Sequence, residues 1–481
     1  MGLFSKEKFV REGDLNFVIR KNAKKEKVAT LINMANAEVI TIPETIKNNI
    51  PVVAIEEGLF KDRSELKVLR INSKISPFPF NDLTNSRKLE RIEFPNGSNN
   101  YDTFEEGKIV VYTDRYISYT VFVVPTYNKS TLQIYKGAGF ANSIIDLHAL
   151  GVKKVFVSYS CFNTSSFVEK YPDIDLEFDN NISTYETKDG VTYYVVGSTT
   201  KSVHYIARNA TYILEHKNPS ITFEDVKRLQ VLRFKKLIIP DTVTEIAKGT
   251  FEKFHFQELE IQGNTILHDQ SFNECPELKK VTIYKGVKFN DTWGNPFTKL
   301  PSLEKIEVTG DVGSFSNDKN GVLYWKKPAN GKTYLFKFPA ASKLEKYKVS
   351  EGTSMIWDNA FEGTKLKEVE FPKTTVKFGP SCFEGSALEN LIVTTDEACE
   401  IYWNSFSNIV AGLKKVSVPA QLSIYENAFL GTKIDEVEYR GYHQWLKDGT
   451  VSISKGNDTF TLKAKGRAMT PEIQAYLKNK K

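Results

Sequence analysis

The residue types that most often carry chemistry are thinly spread in this sequence. Its six histidines are His148, His204, His216, His255, His268 and His443. None stands at metal-ligand spacing, and no His-Glu-x-x-His occurs. A Gly-x-Ser-x-Gly elbow and a P-loop are both missing. Gly137-Ala-Gly139 begins like a dinucleotide loop, but Asn142 stands where the third glycine is required. Asp173-x-Asp175 with Asp179 is acidic enough for a cation, yet an EF-hand loop would need glycine at Phe178. A solvated loop is the expectation there. Cys161, Cys275, Cys382 and Cys399 form no Cys-x-x-Cys pair, which argues against a zinc site or a redox motif. The reading is therefore of a non-enzyme with no catalytic, cofactor-binding or metal residues.

The bulk properties point the same way. A chain of 481 residues exceeds an ordinary compact domain, so a large barrel or an array is required. With 32 Phe and 22 Tyr against 4 Met, β structure is favoured over helical bundles. The net charge of +6 is mild, and lysines such as Lys279 and Lys280 are interleaved with Glu304 and Glu307. Without a basic stripe, nucleic acid is not an expected partner. No apolar run approaches the ~18 residues of a membrane span. The start, MGLFSKEKFVREGD, lacks the apolar region of a secretory signal. As written the chain reads as intracellular or particle-associated, and as surface or secreted if a leader has been removed.

The organising feature is a repeat. Leu366-Lys-Glu-Val369-Glu-Phe371 has counterparts beginning at Leu66, Leu89, Val152, Phe234, Phe256, Leu278, Leu303, Leu388, Leu413 and Ile434. Most steps are about 23 residues, and the three long ones hold insertions. A second column keeps the same beat: Phe251, Phe272, Phe297, Phe361, Phe383, Phe406 and Phe429. A fixed period of 20–29 residues marks a solenoid. Each unit offers a short alternating strand with one apolar face, which a single coil cannot bury alone. Stacking must then build columns, with Leu366, Leu388 and Leu413 in one and Phe361, Phe383 and Phe429 in another. Pro240, Pro372 and Pro419 end strands, and Gly363, Gly385 and Gly431 suit tight turns two residues after a Phe. Cys161, Cys275 and Cys382 read as small core residues, while Cys399 lies off the pattern.

The insertions read as β-hairpins. From Phe315, FSNDKNGVLYWKKPANGKTYLFKFP gives two alternating strands around Asn330-Gly331. Similar material starts at Phe104 and Tyr185. The starts at 234, 256, 278 and 303 recur at 366, 388, 413 and 434, so a hairpin followed by four coils occurs at least twice. The divisions expected are a cap and first coils over 1–100, degenerate coils with two hairpins over 101–230, and coils over 231–314. A hairpin over 315–340, coils over 341–442, and C-terminal strands with a capping helix over 443–481 complete the chain. The helix is read from Thr470-Pro471-Glu472, a cap followed by proline at the first helical position.

The pieces IPDTVTEIAKGTF, LKKVTI, IWDNAFEGTKLKEVEFP and VEYRGYHQW resemble the BspA-type leucine-rich repeat family. That resemblance implies a mainly β solenoid of parallel coils with short helical or turn segments. It also implies a protein-binding or adhesive module, often at a cell surface, without catalytic residues. A structural component of a larger assembly, such as a phage particle or an intracellular scaffold, is the alternative. A small-molecule ligand is not expected.

Binding would use the strand positions left outside the core. These are Glu258, Glu260, Lys280, Lys305, Glu307, Glu368, Glu370, Lys415, Glu436 and Glu438. Coils stacked ~4.8 Å apart would align them in mixed-sign columns. Plain solvation with weak ion pairs, each well under ~1 kcal/mol, is the competing reading. Trp325 and Trp403 are the aromatic candidates, because Trp is favoured at interface hot spots. Alternation points Trp325 and Tyr324 in opposite directions, so one of the two belongs to the core.

Overall fold

The computed structural model describes residues 8–115, 118–135, 145–158, 162–182, 185–196, 200–290, 293–310, 313–419, 422–425, 427–440, 450–455 and 458–463. Cys161, the Gly137–Asn142 stretch and the expected C-terminal helix lie outside them. The chain forms two compact units, Met1–Ala207 and Arg208–Lys481.

In the second unit most coils contribute two short strands, half a turn apart. The first strands of the coils make two parallel sheets of five. One runs Thr211–Ile213, Arg233–Ile239, His255–Ile261, Lys280–Tyr284 and Lys305–Thr309; the other runs Lys346–Lys348, Glu368–Glu370, Asn390–Ile392, Leu413–Pro419 and Ile434–Arg440. Four strands in each were legible from the spacing. The fifth strand, Thr211–Ile213 in one sheet and Lys346–Lys348 in the other, opens each sheet and was not expected from the spacing. Register aligns Leu237, Leu259, Val281 and Ile306 as one buried column. Leu366, Leu388 and Leu413 are likewise buried in one core.

The second strands of the coils form a second ladder on each array. One comprises Ser220–Ile221, Glu245–Ile246, Ile266–Leu267 and Lys288–Phe289; the other contains Thr353–Ile356, Lys377–Phe378, Cys399–Ile401 and Leu422–Ile424. Cys399 therefore sits on the repeat, buried in this second ladder, and not off the pattern. Cys275, Cys382 and Cys399 are all buried.

The Phe column lies between the ladders. Its rings stack at 5.1 Å (Phe251–Phe272), 4.5 Å (Phe361–Phe383), 5.2 Å (Phe383–Phe406) and 5.3 Å (Phe406–Phe429). Phe338 extends the column, 5.1 Å from Phe361. Backbone bonds run coil to coil beside the rings, from Phe361 N–H to the Cys382 carbonyl (2.6 Å) and from Phe383 N–H to that of Ser405 (2.7 Å). Buried main-chain groups are thus satisfied by the neighbouring coil. Two residues before the Phe the backbone turns left-handed, and Asn359, Asn404 and Asn427 hold three of these sites. Gly363, Gly385 and Gly431 adopt φ of 65°, 66° and 71°, as their turn position requires.

Each insertion is a three-stranded antiparallel meander, not a two-stranded hairpin. The strands are Tyr101–Phe104, Ile109–Thr113 and Ser118–Val123; Tyr185–Lys188, Val191–Val196 and Thr200–Ile206; and Phe315–Asn317, Leu323–Lys326 and Thr333–Lys337. In the last, the unexpected first turn is closed by the Asp318 carboxylate, which accepts the N–H of Asn320 (2.9 Å) and of Val322 (3.0 Å). The expected Asn330-Gly331 turn is present, with Gly331 at φ 67°. Thr333–Lys337 then pairs in parallel with Thr353–Ile356, so this meander opens the second ladder.

The first unit holds a five-stranded mixed sheet starting at Lys8–Glu12. Two three-stranded parallel ladders follow: Val39–Thr41, Val68–Arg70 and Arg91–Glu93, then Thr131–Ile134, Lys154–Val157 and Asp175–Phe178. A helix over Thr164–Lys170, capped by the Asn163 side chain, lies between the last two strands.

Phe383 touches a stacked ring on both sides and is fully buried. Phe383→Ala should lower the unfolding free energy by ~3–5 kcal/mol, read as a shifted urea midpoint. An unchanged midpoint would contradict a continuous Phe column.

Candidate functional site

The charged strand positions fall into two rows on each five-stranded sheet. On the first, Lys236, Glu258, Lys280 and Lys305 are in register, and beside them Ile238, Glu260, Thr282 and Glu307. Diagonal ion pairs cross between rows. Lys236 bonds Glu260; Lys280 and Lys305 reach Glu307 at 2.6 and 2.5 Å. Those two lysines hold the Glu307 carboxyl below the usual range. Burial alone would raise Glu260, but Lys236 and Gln262 outweigh it and keep that carboxyl low. On the second sheet Lys346, Glu368, Asn390, Lys415 and Glu436 form one row, with Lys346 bonded to Glu368 at 2.8 Å. Glu370 is exposed beside Lys348, and register sets Glu438 opposite Ser417. Ten of the residues singled out from sequence thus fall at aligned register positions on the two sheets, and Glu260 among them is buried.

The two tryptophans do not. Trp325 is 2% exposed, which corrects its reading as a surface contact. It packs against Phe289, Phe336 and Trp357 on one side of the meander, while Tyr324 packs into the Phe core on the other. Alternation does send them opposite ways, but both sides of this meander are covered. Trp403 is 42% exposed, away from the charged rows, beside Trp293, Tyr402 and Tyr425. A cleft of ≈500 Å³ opens there, lined by Trp293, Tyr334, Trp357, Tyr402 and three lysines. Sequence reasoning missed Trp293, which lies in a loop outside the repeat.

Other clusters are less open to a ligand. In the first unit a cleft of ≈880 Å³ contains Arg70 and Arg91, but both are bonded to Glu93. Asp173 is bonded to His148, and Asp179 accepts from Asn181. Among the described residues no group of three His, Cys, Asp or Glu is placed to hold a metal, and no helix is long and apolar enough to cross a membrane.

A family model for the BspA type leucine rich repeat region matches in six copies, over residues 17–108, 222–319 and 332–448. The chain belongs to the BspA-type leucine-rich repeat family. Among curated proteins none matches it. Solved structures that resemble it include a leucine rich cell surface protein of Faecalibacterium prausnitzii (15% identity, 90% of this chain and 95% of that one, TM-score 0.36). The pneumococcal vaccine antigen PcpA is similar at 13% identity, 98% and 96% coverage and TM-score 0.36. A leucine-rich repeat protein of Bacteroides ovatus follows at 14%, 90% and 100%, with TM-score 0.28.

Within this BspA-type array two charged groups are buried where the third meander meets the coils. Asp358 accepts the Gly294 N–H at 2.7 Å through Oδ2, while Oδ1 has no hydrogen-bond partner among the described residues. Burial pushes its carboxyl up to about 7, against the pull of the Gly294 bond. Lys337, 1% exposed, donates to the Asn359 carbonyl at 2.8 Å. Burial pushes that amine down to about 8, against the attraction of Glu362.

The signs follow from linkage. The native state holds the Asp358 proton where the unfolded chain has lost it, so its contribution to stability falls as pH rises from the ordinary carboxylate range to about 7. The native state sheds the Lys337 proton early, so stability rises from pH 8 towards the ordinary lysine range. Thermal melts from pH 4 to 10 should show both slopes. Asp358→Asn should flatten only the acid one and Lys337→Met only the alkaline one; variants that leave the profile unchanged would refute the assignment.

Proposed function

We propose that this chain is a non-catalytic protein-binding module, of adhesive type, that docks its partner on the exposed strand faces. The observation that carries this reading is the register of the charged rows. Side chains of both signs are held side by side at the coil step of ~4.8 Å on two five-stranded sheets. Repeat families of this fold are generally non-enzymatic, which supports the reading, and open solenoids commonly bind through such faces.

The internal ion pairs do not oppose this role. An exposed pair contributes ~0–1 kcal/mol, so a partner can exchange Lys280–Glu307 or Lys346–Glu368 for intermolecular pairs at little cost. A face of mixed sign favours a partner of complementary pattern and penalises a mismatched one. Recognition of this kind weakens with salt.

Site-specific photo-cross-linking tests it. A photoreactive phenylalanine is placed at Glu258 or Glu370, and as a control at Val410, which is 76% exposed on a turn. The protein is irradiated in its producing cells and in their medium. The strand positions should yield one discrete protein adduct that fades as salt rises, and Val410 none. No adduct from the strand face, or the same adducts from all three positions, would refute strand-face docking.

A further inference from the structure

The second ladder of the C-terminal array carries an ordered surface of its own. Met355, Lys377, Glu400 and Ser423 are in register. Two residues further along each coil stand Trp357, Gly379, Tyr402 and Tyr425. Their N–H groups bond in turn to the carbonyls of Leu335, Ile356, Phe378 and Ile401, which makes them one row. Three are aromatic. The fourth must be glycine, because a Cβ at Gly379 would lie 2.8 Å from Asp358 Oδ1 and 3.0 Å from the Ile356 carbonyl oxygen.

Trp293 fills that gap from another part of the chain. Its ring lies 5.5 Å from Trp357, nearly parallel, and 5.0 Å from Tyr402. The loop is pinned on both sides of the junction. Trp357 Nε1 donates to the Gly294 carbonyl (2.7 Å), Gly294 N–H to Asp358 (2.7 Å), and the Asn295 amide to the carbonyls of Phe336 (3.0 Å) and Asp358 (2.8 Å). Trp293 nonetheless stays 45% exposed, Trp403 42% and Tyr425 37%. The same row of the preceding array reads Ala247, His268 and Asn290, with no Trp, Tyr or Phe, so the stacking core of the repeat does not require this surface.

Beside the rings runs a stripe of hydrogen-bonding groups. Lys377 bonds Glu400 at 3.0 Å, and the Tyr402 hydroxyl donates to the same carboxylate at 2.6 Å. The Asn330 amide lies on the meander side, bonded to the Tyr334 hydroxyl at 2.7 Å. Lys327, Lys332 and Lys377 line the cleft, and no carboxylate does among its described lining residues. Glu400 offsets Lys377, Lys327 lies over the Trp325 and Trp357 rings, and Lys332 forms no ion pair among the described residues.

We propose that this cleft is a binding site for an acidic saccharide, a chain of pyranose units bearing carboxylate or sulfate groups. The exposed Trp293 indole, backed by Trp357 and Tyr402, offers a flat apolar surface to the C–H face of a sugar ring. The polar stripe supplies donors and acceptors for hydroxyls, and the lysines supply charge-assisted bonds to the anionic groups. Both stripes advance by one coil, ~4.8 Å, close to the length of one pyranose unit. A concave cleft of ≈500 Å³ suits one or two such units; a protein partner would need a far wider contact. This site is separate from the charged strand rows, so it stands or falls independently of strand-face docking.

The test is a glycan array probed with the whole chain. Heparin, chondroitin sulfate, polygalacturonate and sialyllactose represent acidic ligands; cellotetraose and mannan are neutral, and tripolyphosphate is a charge control in solution. At least one acidic glycan should bind and quench tryptophan fluorescence. Trp293→Ala should weaken that binding tenfold or more while the melting temperature stays within a few degrees. Lys332→Glu should weaken it about fivefold, and neutral glycans should bind at least tenfold less well. Three outcomes overturn the proposal: no acidic glycan binds, tripolyphosphate competes and Trp293→Ala changes nothing, or the neutral glycans bind equally. Should Trp293→Ala abolish a protein adduct while no glycan binds, the surface is a protein contact and the saccharide site is likewise overturned.

Discussion

No coil of this chain can bury its own apolar face, and everything else follows from that. A strand such as Glu368–Glu370 has too few residues to form a core, so it needs the next coil for packing and for hydrogen bonds. The Phe column meets both needs at once. Rings 4.5–5.3 Å apart from Phe361 to Phe429 exclude water, and the backbone bonds beside them satisfy the groups that would otherwise be stranded. The step between rings also sets the step between strands. The charged rows on one face and the aromatic row on the other therefore share one spacing.

The meanders interrupt this regularity and create its irregular surfaces. Where Thr333–Lys337 joins the second ladder, the register brings Trp325 under Trp357, and the preceding loop is drawn in to cover them. The same junction buries Lys337 and Asp358. A uniform solenoid would have no reason to bury either charge, so these groups record a boundary between the repeat and an insertion. The exposed Trp293 ring at the cleft belongs to that boundary, whereas the strand rows belong to the repeat itself.

The repeat was legible because each coil must place like residues at like positions. Leu366, Leu388 and Leu413, the seven-member Phe column and the glycines after it could all be found by spacing alone. The shortest elements were harder. Two-residue strands such as Lys377–Phe378 are too brief for any alternation to show, and the second ladder that holds Cys399 was missed for that reason. The first turn of the third meander depends on one side chain, Asp318, capping two amides.

By itself, the sequence determined the fold class, the period and the buried columns, since all are consequences of periodicity. Tertiary structure alone decided what covers each face. Trp325 alternates like a surface residue and is buried because Phe289 and Trp357 close over it. Trp293 belongs to no repeat and is brought to the aromatic row by bonds from Trp357 and Asp358, 63 and 64 residues away from Gly294. Periodicity reports only what recurs from coil to coil, and contacts between a loop and a distant coil recur nowhere.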